Sequence, residues 1–405
     1  MNWDFLIKDK ESLSVSTDTR NLPTGCVYFA LRGETFDGNK FAKQALESGA
    51  SFAVIDNPEY ALPEGTLLVP NTLLALQDLA RAWRRELGLP IIGITGTNGK
   101  TTTKELLATV LSTKYNIHYT HGNLNNQIGV PLTLLQITRA HEMAIVEMGA
   151  SHPGDIKELV DIAEPNYGLI TNVGRAHLQG FGSFEGVQQT KRELYDYLVA
   201  HDGTIFRNAD NPYLEKMLLS ACENSKFKIQ NSKLYTTGVM PCGTNLVGSY
   251  NAENVSAAIC VGEHFGIARE QALEAIRQYV PTNKRSQFMQ TPKNKLVVDA
   301  YNANPTSMFA SINAFEGDTF ILGEMKELGD YAHLEHQNIV NMLAERKATQ
   351  VYLVGKEWMQ TTAPYACFQD VAELREFILS HPIQNAHILL KGSRGVQLEK
   401  IIDLL

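Results

Sequence analysis

The residues best able to do chemistry stand together at Gly96-Thr97-Asn98-Gly99-Lys100-Thr101, between the apolar run Ile91–Thr95 and a helix-forming segment. Two glycines let backbone N–H groups approach an anion, and the following helix points its positive end at it. Lys100 can then reach terminal phosphates, and the Thr101 hydroxyl can ligate Mg²⁺. The longer loop pattern asks for glycine where this chain has Ile94, so the loop is a compact variant, continued by Thr102 and Thr103. Gly-Lys-Thr between an apolar strand and a helix reads as a nucleotide-binding loop rather than an ordinary turn.

Other groups could serve that loop. Glu147 ends the apolar run Met143–Met148, where a carboxylate would lie beside a nucleotide and could hold Mg²⁺; alone, it reads equally as structural. His177 follows the next apolar run, and its neutral ring can ligate a metal or simply be a satisfied polar residue. Lys191, within the helical stretch Ser183–Ala200, reads by itself as a surface lysine. Asn251 and Asn254, three apart at the start of a helix, share one face and suit capping. The segment from His121 to Pro131 carries Asn123, Asn125 and Asn126, whose amides could orient peptide or sugar groups without adding charge. His333 and His336 have the spacing of a metal pair, but nothing nearby completes a site, so they are assigned to a solvated helix face.

Positioning these groups takes three units. Residues 1–89 hold short strand-like runs (Val27–Leu31, Phe52–Ile55, Thr66–Val69) and a helical stretch near Phe41–Ser48, a small α/β domain closed by Gly88-Leu89-Pro90. Residues 90–281 alternate apolar strands (Ile91–Thr95, Met143–Met148, Gly168–Val173) with helices, the pattern of a parallel sheet. Residues 282–405 give the runs Leu296–Asp299, Thr319–Leu322, Gln350–Val354 and His387–Leu390, each followed by a helical stretch. This is a doubly wound domain whose polar strand ends should face a ligand. The fold class expected is therefore a three-domain α/β protein.

Composition bounds the function. A chain of 405 residues, 44% hydrophobic and 20% charged, has length for two or three domains with real cores. A net charge of −8 argues against a nucleic-acid surface, and the densest basic cluster, Arg81, Arg84 and Arg85, reads as a solvated helix face. No apolar run approaches the roughly 20 residues that span a bilayer. The start MNWDFLIKDKES lacks a basic n-region and a long apolar h-region, so a cytoplasmic protein is expected. The five cysteines lack CxxC spacing and read as buried free thiols.

The compact loop with Thr102 and Thr103 resembles that of the ATP-dependent Mur ligases of peptidoglycan synthesis, with folylpolyglutamate synthases as more distant relatives. That resemblance implies ATP held by Gly96–Thr102, Asn251, Asn254 and Asn302, and two Mg²⁺ ions held by Thr101, Glu147, His177 and a carbamylated Lys191. The family usually shows Lys-Gly-Glu where this chain has Lys191-Arg192-Glu193. Lys100, Lys191, His177 and Arg285 are the catalytic residues it implies, Arg285 reaching the γ-phosphate on domain closure. The segment Ser16–Arg20, with Gly25–Gly33, is similar to the family's uridine-nucleotide domain and places Thr19 and Arg20 on the sugar nucleotide. Asn123 and Asn126 would face the acceptor substrate, and Lys391 and Ser393 the incoming amine. The segments from Asp299 to Met308 and from Leu390 to Gly395 are similar to the member that joins D-alanyl-D-alanine to UDP-N-acetylmuramoyl-tripeptide, acting as a monomer. The alternatives are the preceding ligase, which adds the third-position diamino acid, and a folylpolyglutamate-type ligase. A non-catalytic nucleotide-binding regulator would have no need of Glu147, His177 and Lys191 together.

Overall fold

A computed structural model describes residues 2–223 and 231–405. Three sheets carry the chain, giving the three-domain α/β architecture expected. The first has parallel strands in the order β1 (Val15–Ser16), β2 (Val27–Phe29), β3 (Phe52–Ile55), β4 (Thr66–Leu68). The second is built from β5 (Ile91–Thr95), β6 (Ile117–Tyr119), β7 (Met143–Glu147), β8 (Tyr167–Ile170), β9 (Thr204–Asn208) and β10 (Ser232–Tyr235), all parallel, in the order β10-β9-β8-β5-β7-β6. The third uses β11 (Gln287–Gln290), β12 (Lys295–Asp299), β13 (Thr319–Gly323), β14 (Gln350–Val354), β15 (Ala366–Phe368) and β16 (His387–Lys391), in the order β11-β12-β16-β13-β14-β15. Only its edge strand β11 runs antiparallel to its neighbour.

Chain order reverses about β5, which has β7 on one side and β8 on the other. That switch point opens a crevice beyond the strand ends, where the phosphate loop lies. Strand β8 stops at Ile170 rather than Val173 because the next residues turn to satisfy the loop. Thr171 Oγ1 donates to the Asn98 carbonyl at 2.6 Å, and the Thr97 N–H donates to the Asn172 carbonyl at 2.9 Å.

The first two sheets share one apolar cluster. The helix Thr72–Leu87, capped by the Asn71 side chain and ended by Gly88 at φ 64°, buries Leu76, Leu79 and Trp83 against Ile91, Leu134 and Leu159. Of the basic cluster on this helix only Arg85 stays exposed, while Arg81 and Arg84 are largely covered rather than solvated. Arg81 Nε donates to the Asp161 carbonyl at 2.8 Å, and Arg84 Nη2 to the Glu164 carbonyl at 2.7 Å. These cations meet the negative C-terminal end of the helix Asp155–Ala163, whose last carbonyls lack helical partners.

Two other expectations are corrected. Of the five free cysteines only Cys26 is buried, and Cys242 is exposed. His336 and Glu335 are buried rather than solvated. His336 Nε2 accepts the Met325 N–H at 3.0 Å, and Glu335 pairs with Arg175 of the central domain at 3.2 Å. No helix among the described residues is long and apolar enough to cross a membrane.

Candidate active site

The loop's backbone is dictated by what surrounds it. Gly96 sits at φ 142°, where a Cβ would lie 2.0 Å from Thr171 Oγ1; Gly99, at φ 80°, would meet Asn254 Oδ1 at 2.4 Å. No side chain fits at either place. The Asn98 N–H donates to Asn172 Oδ1 at 3.0 Å, fixing the loop against the end of β8. Asn254 Oδ1 accepts from Thr103 at 3.0 Å while its amide donates to Asn251 Oδ1 at 2.9 Å, so the asparagine pair braces the loop's helix from the side.

Above the loop lies a cavity of about 830 Å³, walled by the central and C-terminal domains. Fifteen of the residues expected at the site line it: Thr97 to Thr102, Asn123, Asn126, Glu147, His177, Asn251, Asn254, Arg285, Asn302 and Lys391. Gly96, Lys191 and Ser393 are not part of its lining, nor are Thr19 and Arg20 of the first domain. Arg20 there is exposed and paired with Asp18.

Each charged group has a defined setting. Lys100 Nζ folds back onto the Gly96 and Thr97 carbonyls at 2.7 and 3.2 Å. Burial pushes its pKa down to about 8, Arg285 adding to the fall and Glu147 opposing it. Glu147, 2% exposed, accepts from Asn125 Nδ2 at 2.8 Å through Oε1, while its Oε2 has no hydrogen-bond partner. The nearest cation to that oxygen is Lys104 Nζ, fully buried, at 3.8 Å. A buried carboxylate oxygen left open beside a cavity suits a metal ion.

Lys191 is also 2% exposed, its Nζ 5.6 Å from the centre of the Phe181 ring. No carboxylate among the described residues lies within 4 Å of it. Burial, then repulsion from Lys100, holds its pKa well below the usual lysine value, against the pull of Asp155 and Glu193. Gly168 allows this, since a Cβ there would lie 2.7 Å from Leu198 and push away the helix Phe184–Ala200 that carries Lys191. Arg192, standing where the family usually has glycine, turns outward to Asp196 and Ser220, while Glu193 accepts the Gly154 and Lys157 N–H groups at 2.9 and 2.7 Å.

On the C-terminal side, the Arg285 guanidinium lies 4.0 Å over the Tyr301 ring and its Nε has no partner. Lys391 pairs with Asp299 below. Asn126 Oδ1 accepts the Ile128 and Gly129 N–H groups at 3.2 and 2.9 Å where the helix Gly129–Leu135 begins, and Ser393 Oγ accepts the Lys326 N–H at 3.1 Å. Contacts missed from sequence join the two domains across the cavity. Asn98 and Asn304 exchange amide hydrogen bonds at 2.8 and 3.4 Å, the Arg175 N–H donates to Thr306 Oγ1 at 3.1 Å, and His177 touches Glu327. The polar strand ends of the third domain were the signal for Asn304, which caps the helix after β12; nothing local marked Glu327.

Comparison with known proteins places these features. Family profiles match residues 94–262 (Mur ligase middle domain), 284–394 (Mur ligase, glutamate ligase domain) and 13–84 (Mur ligase family, catalytic domain). The UDP-N-acetylmuramoyl-tripeptide–D-alanyl-D-alanine ligase of Bacillus subtilis is 34% identical, over 96% of this chain and 92% of its own. Among solved structures, MurF from Acinetobacter baumannii has a TM-score of 0.83 at 29% identity, over 96% of this chain and 92% of its own. The MurF ligase of Thermotoga maritima in complex with ADP has a TM-score of 0.84 at 25% identity, over 98% of both chains.

Proposed function

The chain belongs to the Mur ligase family, and from that premise we propose that it joins D-alanyl-D-alanine to UDP-N-acetylmuramoyl-tripeptide, coupled to cleavage of ATP to ADP and phosphate. It is an ATP-dependent carbon–nitrogen ligase of peptidoglycan synthesis, and we propose that it acts as a cytoplasmic monomer. The observation that carries the mechanism is the convergence of Lys100, Glu147, His177 and Arg285 on one cavity walled by two domains.

The tripeptide's terminal carboxylate attacks the γ-phosphorus of ATP, ADP leaves, and an acyl phosphate forms. The amine of D-alanyl-D-alanine then attacks the acyl carbon, and the tetrahedral adduct collapses with loss of phosphate and of the ammonium proton. Lys100 and Arg285 offset charge on the transferred phosphoryl group, the loop N–H groups from Gly96 to Thr102 hold the phosphate chain, and Asn251, Asn254 and Asn302 hold the nucleoside end. Thr101, Glu147, His177 and Lys191 would hold two Mg²⁺ ions. Bound there, Mg²⁺ would neutralise phosphate charge and orient the attacking carboxylate.

Lys191 fits its part only as a carbamate. Its depressed pKa favours the free amine, whose lone pair can add to the carbon of CO₂, releasing one proton and leaving an N-carboxylate in place of a cation. Thr19 and Arg20 would take the uridine end of the sugar nucleotide, Asn123 its peptide, and Lys391 the incoming dipeptide. Asn126 and Ser393 would act through the backbone they hold.

The test is ATP-dependent phosphate release with UDP-N-acetylmuramoyl-tripeptide and each of D-alanyl-D-alanine, L-lysine, meso-diaminopimelate or no amine, with product mass read alongside. Release with a matching mass gain only for D-alanyl-D-alanine is expected. Turnover instead on a dipeptide precursor with a diamino acid would overturn the reading.

A further inference from the structure

The contact between His177 and Glu327 joins two loops from different domains, and its chemistry is specific. His177 follows β8 in the central domain; Glu327 follows β13 in the C-terminal domain; both line the cavity. The ring Nδ1 of the first is buried with no aligned hydrogen bond, and carboxylate Oε2 of the second is in contact with it. Both residues hold left-handed backbones, His177 at φ 50° and Glu327 at φ 64°. That conformation is strained for a non-glycine residue, and two that meet side chain to side chain mark a place where the surroundings dictate geometry.

Those surroundings are stiff on each side. The Met325 N–H is held by His336, the Lys326 N–H by Ser393, and Leu328 is buried, so Glu327 stands on a fixed platform. Facing it, the Gly174 N–H donates to Thr97 of the phosphate loop at 2.9 Å, and the Arg175 N–H donates to Thr306 of the C-terminal domain. Neither loop is free to choose its neighbour.

We propose that Glu327 is a positioning residue for His177: a carboxylate delivered by the C-terminal domain accepts the Nδ1–H of the imidazole and leaves Nε2 as the open acceptor at the cavity. An imidazole that serves a metal through one nitrogen is oriented by an acceptor on the other. Here the acceptor comes from the opposite domain, so His177 reaches its working tautomer only when the two domains meet. The proposal rests on His177 serving the metal and phosphate site of the ligase reading above.

The test uses the full chain with ¹⁵N-labelled histidine, His177 being assigned by the signal lost in His177→Asn. Long-range ¹⁵N–¹H spectra of the metal-free protein should show His177 protonated on Nδ1, in the parent and in Glu327→Gln, whose amide carbonyl can still accept. In Glu327→Ala the ring should turn to a mixed or Nε2-protonated form. In ligation assays the Mg²⁺ concentration for half-maximal rate should rise about tenfold in Glu327→Ala, and much less in Glu327→Gln. Glu335→Gln breaks the neighbouring interdomain pair with Arg175 and should move neither readout. An unchanged tautomer in Glu327→Ala, or the same shifts in Glu335→Gln, would overturn the proposal. A parent protein with the Nδ1–H tautomer but no ligation would instead overturn the ligase reading and leave the contact standing.

Discussion

Burial lowers the pKa of two lysines, Lys100 in the cavity wall and Lys191 in the helix Phe184–Ala200, the first against Glu147 and the second against Asp155 and Glu193. For Lys100 the consequence for stability has a definite sign. Its folded pKa of about 8 lies below the ordinary lysine value of 10.5, so the unfolded chain binds more protons between those limits. The penalty of holding a buried ammonium is therefore complete below about pH 8 and fades as pH rises toward 10.5. Lys100→Met should make the ligand-free protein more stable at pH 7 by about 1–3 kcal/mol, a gain that shrinks toward pH 10 in urea midpoints. The same variant should lose ligation by a factor of about 100 or more, since nothing else in the loop carries a positive side chain to the γ-phosphate. Equal stability of the two proteins at pH 7 would show that Lys100 is solvated in the empty loop.

The elements that position these residues differ in how plainly the sequence shows them. Central strands such as β5, β7, β13 and β16 are buried on both faces and read as continuous apolar runs. Edge and near-edge strands, β6, β9, β10, β11 and β15, are short or mix polar residues with apolar ones, and only pairing reveals them. Gly-Lys-Thr is legible because its chemistry is local. Arg84 is not: a basic helix face looks the same whether it meets water or, as here, the carbonyl end of another helix. His336 and Glu327 escaped for the same reason, since their partners lie in other elements. The Arg84 contact can be weighed directly. Its side chain is 10% exposed, against 63% for Arg85. Arg84→Met should cost about 1.5–3 kcal/mol in urea unfolding, and Arg85→Met under about 1 kcal/mol. Equal losses would mean that the helix junction depends on charge rather than on the buried hydrogen bonds.

At the scale of the whole molecule, each sheet brings one part of the reaction. The central sheet holds the phosphate loop and the groups proposed to bind Mg²⁺ near its switch point, and the C-terminal domain presents Arg285, Tyr301 and Lys391 across the cavity. The first sheet is fused to the central one through a common core, so the C-terminal domain meets the loop through polar contacts instead: Asn98 with Asn304, Arg175 with Glu335, His177 with Glu327. Interfaces of that kind separate more readily than apolar ones, which suits a domain that closes over ATP and opens to release product. In the proposed reaction, closure would exclude water from the acyl phosphate and leave the dipeptide amine as the nucleophile that meets it. The most direct measurement follows the oxygen atoms. With both oxygens of the tripeptide's terminal carboxylate labelled with ¹⁸O, one label should appear in inorganic phosphate and the other stay in the new amide, in step with D-alanyl-D-alanine incorporation. Phosphate free of label, alongside normal product formation, would contradict activation of the carboxylate through an acyl phosphate.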